Sequence, residues 1–261
     1  MENMSGLFCF LSGLILGSFL NVCIWRMPRG ESLALPRSKC PSCRRQLFWF
    51  DNIPLWSYAR LLGRCRFCRH PISGRYPLVE FLSGMMFLGL WGRWGHADLW
   101  FVACYSACAA LLVVAFIDWD TFIIPDVLSL GLLAFGVAAA PINPYFSGTA
   151  GWRVLNSMAG AVSGFLICWG IAALGEFLFK KEAMGGGDIK LLAAIGAWTG
   201  VLGAVDCLMI ASLLGSIYGV VLMLRKKIRR QDPIPFGPFL SAGAVFDFFY
   251  LMPWGFPFGL M

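Results

Sequence analysis

Apolar residues gather in long runs broken by short polar or basic stretches, the pattern of helices that cross a lipid bilayer. Eight runs stand out: Gly6–Trp25, Pro77–Trp94, Leu99–Ile117, Val127–Phe146, Val154–Phe179, Ile189–Val205, Cys207–Leu224 and Phe236–Phe256. The fourth is interrupted by Pro141 and Pro144, and the sixth is short. Small residues recur inside the runs, as in Ala159-Gly160-Ala161 and Gly215-Ser216, and predict close helix packing. The expected fold is an all-α polytopic membrane protein of about eight transmembrane helices. The first run lacks a basic segment before it and a cleavage site after it, so it reads as a retained helix rather than a signal peptide.

Composition agrees. Of 261 residues, 59% are hydrophobic and 13% charged, and the mean hydropathy is +0.72. These values exclude an ordinary soluble domain. A net charge of +7 would suit nucleic acid, but in a membrane chain the location of the basic residues matters more than their sum, and we expect no nucleic-acid partner. With eight spans, 19 of the 21 Lys and Arg residues fall on one face, and only Arg93 and Arg153 fall opposite. The positive-inside rule makes the crowded face cytoplasmic and puts both termini outside. The chain then divides into a first transmembrane helix (1–25), a cytoplasmic loop domain (26–76) and a multi-helix membrane domain (77–261).

Two carboxylates sit where charge is expensive. Asp188 follows Gly185-Gly186-Gly187 at the start of the sixth run, and Asp118 ends the third. The expected topology puts both at the cytoplasmic boundary, where an acid marks a functional site. Brought together, they would share a proton near neutral pH, one acting as general base on a water and the other as acid. A helix N-terminus favours ionised Asp188 and makes it the more acidic partner, although such a pair titrates as a unit. Two blander readings stay open. Asp188 would serve as an ordinary N-cap, with Asp118, Asp120 and Asp126 as interfacial polar residues around Ile124-Pro125. An ion-coupled carrier would use the same acids. Glu80, Glu176, Asp206 and Asp247 show that acids are not rare in this chain.

The loop carries a second chemistry. Cys40-x2-Cys43 and Cys65-x2-Cys68 lie 21 residues apart, close to the double-knuckle spacing of zinc sites. Each CxxC offers two thiolates on a tight turn, and four complete a tetrahedral site. A reducing cytoplasm argues against structural disulfides, and a loop of about 50 residues with few aliphatics gains most from a metal staple. Cys9, Cys23, Cys104, Cys108, Cys168 and Cys207 fall in apolar runs as packing residues, and His70 and His96 have no second imidazole at ligand spacing. A scaffold whose zinc loop docks partners is the remaining non-enzymatic reading.

Gly185-x-Gly187-Asp188 resembles the GxGD signature of membrane-embedded aspartic proteases. Asp118-x6-Pro125-Asp126 resembles the first-aspartate motif of the bacterial type IV prepilin peptidases. Gly17-Ser18-Phe19-Leu20-Asn21-Val22, Asp51-Asn52-Ile53-Pro54, Arg75-Tyr76-Pro77-Leu78-Val79-Glu80 and Phe236-Gly237-Pro238-Phe239-Leu240 extend the match over nearly the whole chain. The resemblance implies a bacterial inner-membrane leader peptidase for prepilins and pilin-like secretion subunits, cutting after a glycine beside a substrate transmembrane helix. Asp118 and Asp188 match the catalytic pair, with Gly185, Gly187, Pro125 and Asp126 as support of the substrate and loops. It further implies structural Zn2+ on Cys40, Cys43, Cys65 and Cys68, and N-methylation of the new N-terminus with S-adenosylmethionine. No residue independently marks a methyl-donor site. Gly63 is the candidate turn near one, and equally an ordinary knuckle turn.

Overall fold

Among the residues described by the computed structural model (2–35, 37–95, 98–180, 184–229 and 232–250) there is no strand. His96, Lys181 and the end of the eighth expected run lie outside them. The helices are α1 (Glu2–Arg26), α2 (Trp56–Arg60), α3 (Arg75–Trp94), α4 (Asp98–Thr121), α5 (Asp126–Ala139), α6 (Ala150–Phe179), α7 (Gly186–Leu224) and α8 (Gly237–Tyr250). Among the described residues four stretches are long and apolar enough to cross a membrane: Gly6–Arg29, Leu99–Thr121, Ala150–Leu178 and Gly186–Leu224. The contacts divide the chain into two units, Met1–Phe101 and Val102–Met261.

In the first unit α1 packs along α3. Small residues let the backbones approach, and Ser83 Oγ donates to Gly13 O at 2.7 Å. Buried Asn21 donates through Nδ2 to Tyr76 O at 3.1 Å and so ties the end of α1 to the start of α3. Both polar groups are satisfied by a neighbouring backbone, as a segment in hydrocarbon requires. The polar module of residues 27–74 connects the two helices.

In the second unit α7 is the common element, packed on α5, α6 and α8. Its approach to α6 is the tightest. A Cβ on Gly160 would strike the Gly196 carbonyl oxygen, and a Cβ on Gly196 would strike that of Gly160. This is the small-residue contact that lipid-embedded helices use, since lipid gives them no hydrophobic drive to associate.

The sixth and seventh expected runs both appear as helices, and the break between them falls elsewhere than expected. They are joined in α7 and broken at Gly200 (φ 75°, ψ −172°), not at Asp206 where the charge suggested a boundary. Only glycine adopts that backbone region readily. The break removes the helical partners of the two carbonyls before it. Ser157 Oγ donates to Ala197 O at 2.7 Å, and Asn143 Nδ2 donates to Trp198 O at 2.8 Å. Asn143 Oδ1 in turn accepts from Tyr145 N at 2.9 Å. Trp198 Nε1 finds Leu132 O on α5 at 2.9 Å. Both of these carbonyls are therefore hydrogen-bonded, as irregular backbone at this depth requires.

Asn143→Leu leaves the Trp198 carbonyl buried without a donor and should lower stability by about 1–3 kcal/mol. Asn156→Leu, on an exposed face of α6, should change it by less than about 0.5 kcal/mol. Thermal unfolding of the two variants in the same detergent measures the difference.

Candidate active site and metal centre

Asp118 lies in the last turn of α4, only 5% exposed. The chain leaves that helix at once: Phe122 N–H closes onto Asp118 O at 2.8 Å, and Phe122 takes φ 56°. A bulky residue in the left-handed region is costly, and such strain collects at functional sites. The Asp118 side chain is held by α8, whose Gly237 N–H donates to Oδ2 at 2.9 Å. Only glycine allows this approach, since a Cβ at position 237 would lie 2.8 Å from the same oxygen. Gly237 thus joins the candidate site, with a role that its place in the Phe236–Leu240 motif does not signal. Nothing along the 119-residue separation signals the contact.

Asp188 is in the first turn of α7, with its N–H bonded to Gly185 O at 3.1 Å. Gly187 lets this turn sit against the segment that follows α4, because a Cβ there would come 3.0 Å from Ile124 Cβ. The glycine loop is thus seated on the stretch between Asp118 and Pro125. Asp118 and Asp188 are brought close enough for their charges to act on each other. Pro125 caps α5 in an extended conformation. Asp126, exposed in the first turn of α5, pairs with Lys190 of α7 at 2.7 Å, an ion pair between two helix starts. Trp119 packs at a tilt against Tyr218 with ring centres 5.4 Å apart, and Tyr218 against Phe239 at 5.6 Å. These rings link α4, α7 and α8 around the acids. A second pair of acids within electrostatic range, Asp247 of α8 and Asp206 of α7, lies ten residues along α8 from Gly237, about 15 Å at the helical rise.

In the first unit the two CxxC turns are built alike. Cys40 N–H donates to Arg45 O and Arg44 N–H to Cys40 O; Cys65 N–H donates to His70 O and Arg69 N–H to Cys65 O. Arg44 (φ 58°) and Arg69 (φ 60°) occupy equivalent left-handed positions, and the bridges Lys39–Gln46 and Arg64–Pro71 close the two turns. The knuckles are therefore one structure repeated at an offset of 25 residues, where the sequence showed only an echo. Their four Sγ atoms lie within 4.8 Å of one another, with Cys40 and Cys68 at 3.9 Å. Zn–S bonds of about 2.3 Å at tetrahedral angles put sulfurs about 3.8 Å apart, so the donor set fits that metal. Burial raises the Cys65 thiol, but the N–H groups of Cys68 and Phe67 and the thiols of Cys40 and Cys68 outweigh it and hold it down at about 7. His70 is outside the cluster and contributes its carbonyl to a knuckle.

Beside the knuckles is a cavity of about 720 Å³, lined by Ser18, Asn21 and Trp25 of α1, by Tyr58 of the module, and by Tyr76 and Glu80 of α3. Asp51 also faces it, engaged by Arg66 through Nε at 3.0 Å. Glu80 is 8% exposed and accepts the Leu55 N–H at 2.9 Å. Gly63 does not line the cavity; its α-carbon packs on Tyr58, which does, with 3.0 Å between a Cβ there and the ring.

Comparison with known proteins covers both units. The model of the Bacterial Peptidase A24 N-terminal domain matches residues 11–94, and that of the Type IV leader peptidase family matches residues 105–220. A prepilin leader peptidase/N-methyltransferase of Burkholderia pseudomallei (strain 1026b) is 37% identical over 94% of this chain and 85% of its own length. A type 4 prepilin-like proteins leader peptide-processing enzyme of Escherichia coli O78:H11 is 38% identical over 90% of each. A prepilin leader peptidase/N-methyltransferase of Pseudomonas aeruginosa is 34% identical over 88% of this chain and 85% of its own. No solved structure matches at a significant level. With relatives this similar over nearly its full length, the chain belongs to the type IV leader peptidase family.

Proposed function

We propose that this protein removes the leader from prepilins and pilin-like secretion subunits with Asp118 and Asp188, then methylates the exposed N-terminus. The observation that carries the peptidase reading is the convergence of two acids 70 residues apart in sequence, one fixed by a backbone N–H and the other by the glycine loop. Gly237 occupies Asp118 Oδ2, which leaves Oδ1 to orient a water between the carboxylates. One carboxylate takes a proton from that water as it attacks the scissile carbonyl, and the other donates to the carbonyl oxygen and then to the leaving amine. The substrate backbone must be extended at the cut, because a helix hides its carbonyls. The glycines before Asp188 leave room for it. The setting is the bacterial inner membrane, with the site and the zinc module on the cytoplasmic side, the layout that the eight-span topology expected from the sequence would give.

The zinc module and its cavity form the second part. Cys40, Cys43, Cys65 and Cys68 hold a structural Zn2+, which contributes folding energy to a module with little core of its own. The cavity falls in the range of about 300–1,000 Å³ typical of small-ligand sites, and its lining suits S-adenosylmethionine. Trp25 and Tyr58 offer ring faces for the base, and Arg44 offers a cation for the carboxylate. S-adenosylmethionine supplies an activated methyl group.

Two outcomes test this account. Asp118→Asn and Asp188→Asn should each reduce leader cleavage by at least about 100-fold while membrane insertion and zinc content stay normal. Asp120→Asn and Asp126→Asn should retain measurable cleavage. An essential Asp126 beside a dispensable Asp118 would overturn the assignment. Cys65→Ser should lose zinc and N-methylation together while some cleavage survives, because the helices bearing the acids satisfy their own backbone without the metal. Metal analysis and both assays on one purified preparation decide that point. Total loss of cleavage in an inserted, stable variant would mean that the module also docks the peptidase substrate.

A further inference from the structure

We infer that Glu80 is the residue that receives the substrate's α-amine in the cavity and takes its proton. The inference rests on the cavity being the methyl-donor site. Glu80 stands in the second turn of α3, yet it is 8% exposed and lines the cavity beside Ser18 and Asn21. Its Oε2 accepts the Leu55 N–H at 2.9 Å, and Ser18 contributes a second hydrogen bond to the carboxylate. Leu55 itself is held at φ 57°, ψ −46°, a conformation costly for a side chain of that kind. It persists only where its surroundings over-determine it, as at ligand clamps. Arg66, which would be a partner for an acid here, is taken by Asp51. Arg26, Arg44 and Arg75 line the same cavity, but among the described residues no ion pair joins a cation to Glu80, and a buried carboxylate so placed suits a cation brought by the ligand.

The substrate supplies one. After leader removal the chain is an apolar helix whose first residue carries a free α-amine, and that group must enter where membrane helices meet the polar module. Glu80, Ser18 and Asn21 sit on α1 and α3 at that junction. An α-amino group has a pKa of about 7.7–8.0 and is largely protonated near neutral pH, so it cannot attack until it loses a proton. The ammonium docks on Glu80 and transfers one proton to it. The freed nitrogen lone pair attacks the methyl carbon of the sulfonium donor; the N–C bond forms as the C–S bond breaks, and that electron pair returns to sulfur. The product is a methylammonium, the thioether leaves uncharged, and Glu80 releases its proton to water.

Glu80→Gln isolates the charge, because the amide oxygen still accepts from Leu55 and the amide nitrogen still reaches Ser18. The full-length enzyme in detergent is titrated with a leader-free pilin-type helix bearing either a free or an acetylated N-terminus. Wild type should bind the free amine at least tenfold more tightly than the acetylated form. Glu80→Gln should show no preference and should methylate at least 100-fold more slowly, with leader cleavage and zinc content unchanged. Glu80→Asp, which keeps the charge, should retain part of the preference. A Glu80→Gln enzyme that keeps both the preference and the methylation rate overturns the assignment. A wild-type enzyme that transfers no methyl group overturns the donor reading of the cavity alone, since the amine preference still reports on Glu80.

Discussion

An acid at the end of an apolar helix has to be held by the protein, because hydrocarbon offers it no hydrogen bond. Here the holder is backbone. Gly237 N–H reaches Asp118 at 2.9 Å at a position where any Cβ would collide with the carboxylate. The contact fixes the start of α8 against the end of α4. On the other side, Gly187 seats the first turn of α7 against Ile124. Glycine thus serves the site by close approach at two helix starts, and the mutual approach of Gly160 and Gly196 anchors α7 on α6. A site made of backbone contacts is rigid, and it needs few polar side chains inside the membrane.

The apolar runs, the four cysteines and the two aspartates were all visible in the sequence because each leaves a local mark: length, spacing, or charge against an apolar background. What was not visible has no local mark. Gly237 partners an acid 119 residues away. The break in α7 was expected at Asp206 because charge interrupts a hydropathy profile, whereas the chain bends at Gly200. Glycine in an apolar run does not interrupt such a profile, and the groups that make the bend tolerable, Asn143 and Ser157, come from other segments. Asp126 carried the signal of a motif residue, and its observed partner is Lys190 on the surface. Glu80 was visible but was weighed as one acid among several, since its burial beside a cavity depends on how α1 and the module pack on α3.

The two units solve different problems. The first has a polar module with little core, and it relies on two knuckles of the same construction to gather four sulfurs within 4.8 Å. The second is packed through helix backbones and aromatic rings. On the proposed function, this division would let one short chain carry two reactions, with the product of the first presenting the amine that the second requires.

The central claim is that Asp118 and Asp188 act as one site across a shared water. An experimental structure of the enzyme in lipid, bound to a peptide mimic of the cleavage junction, measures it directly. Two hydrogen bonds of about 2.7–2.8 Å through one water keep carboxylate oxygens within about 5.5 Å. The account predicts such a separation, with the mimic's reacting centre between the acids and Gly237 N–H on Asp118. Carboxylates turned away from each other, or separated by about 10 Å with the mimic bound to only one, would contradict it.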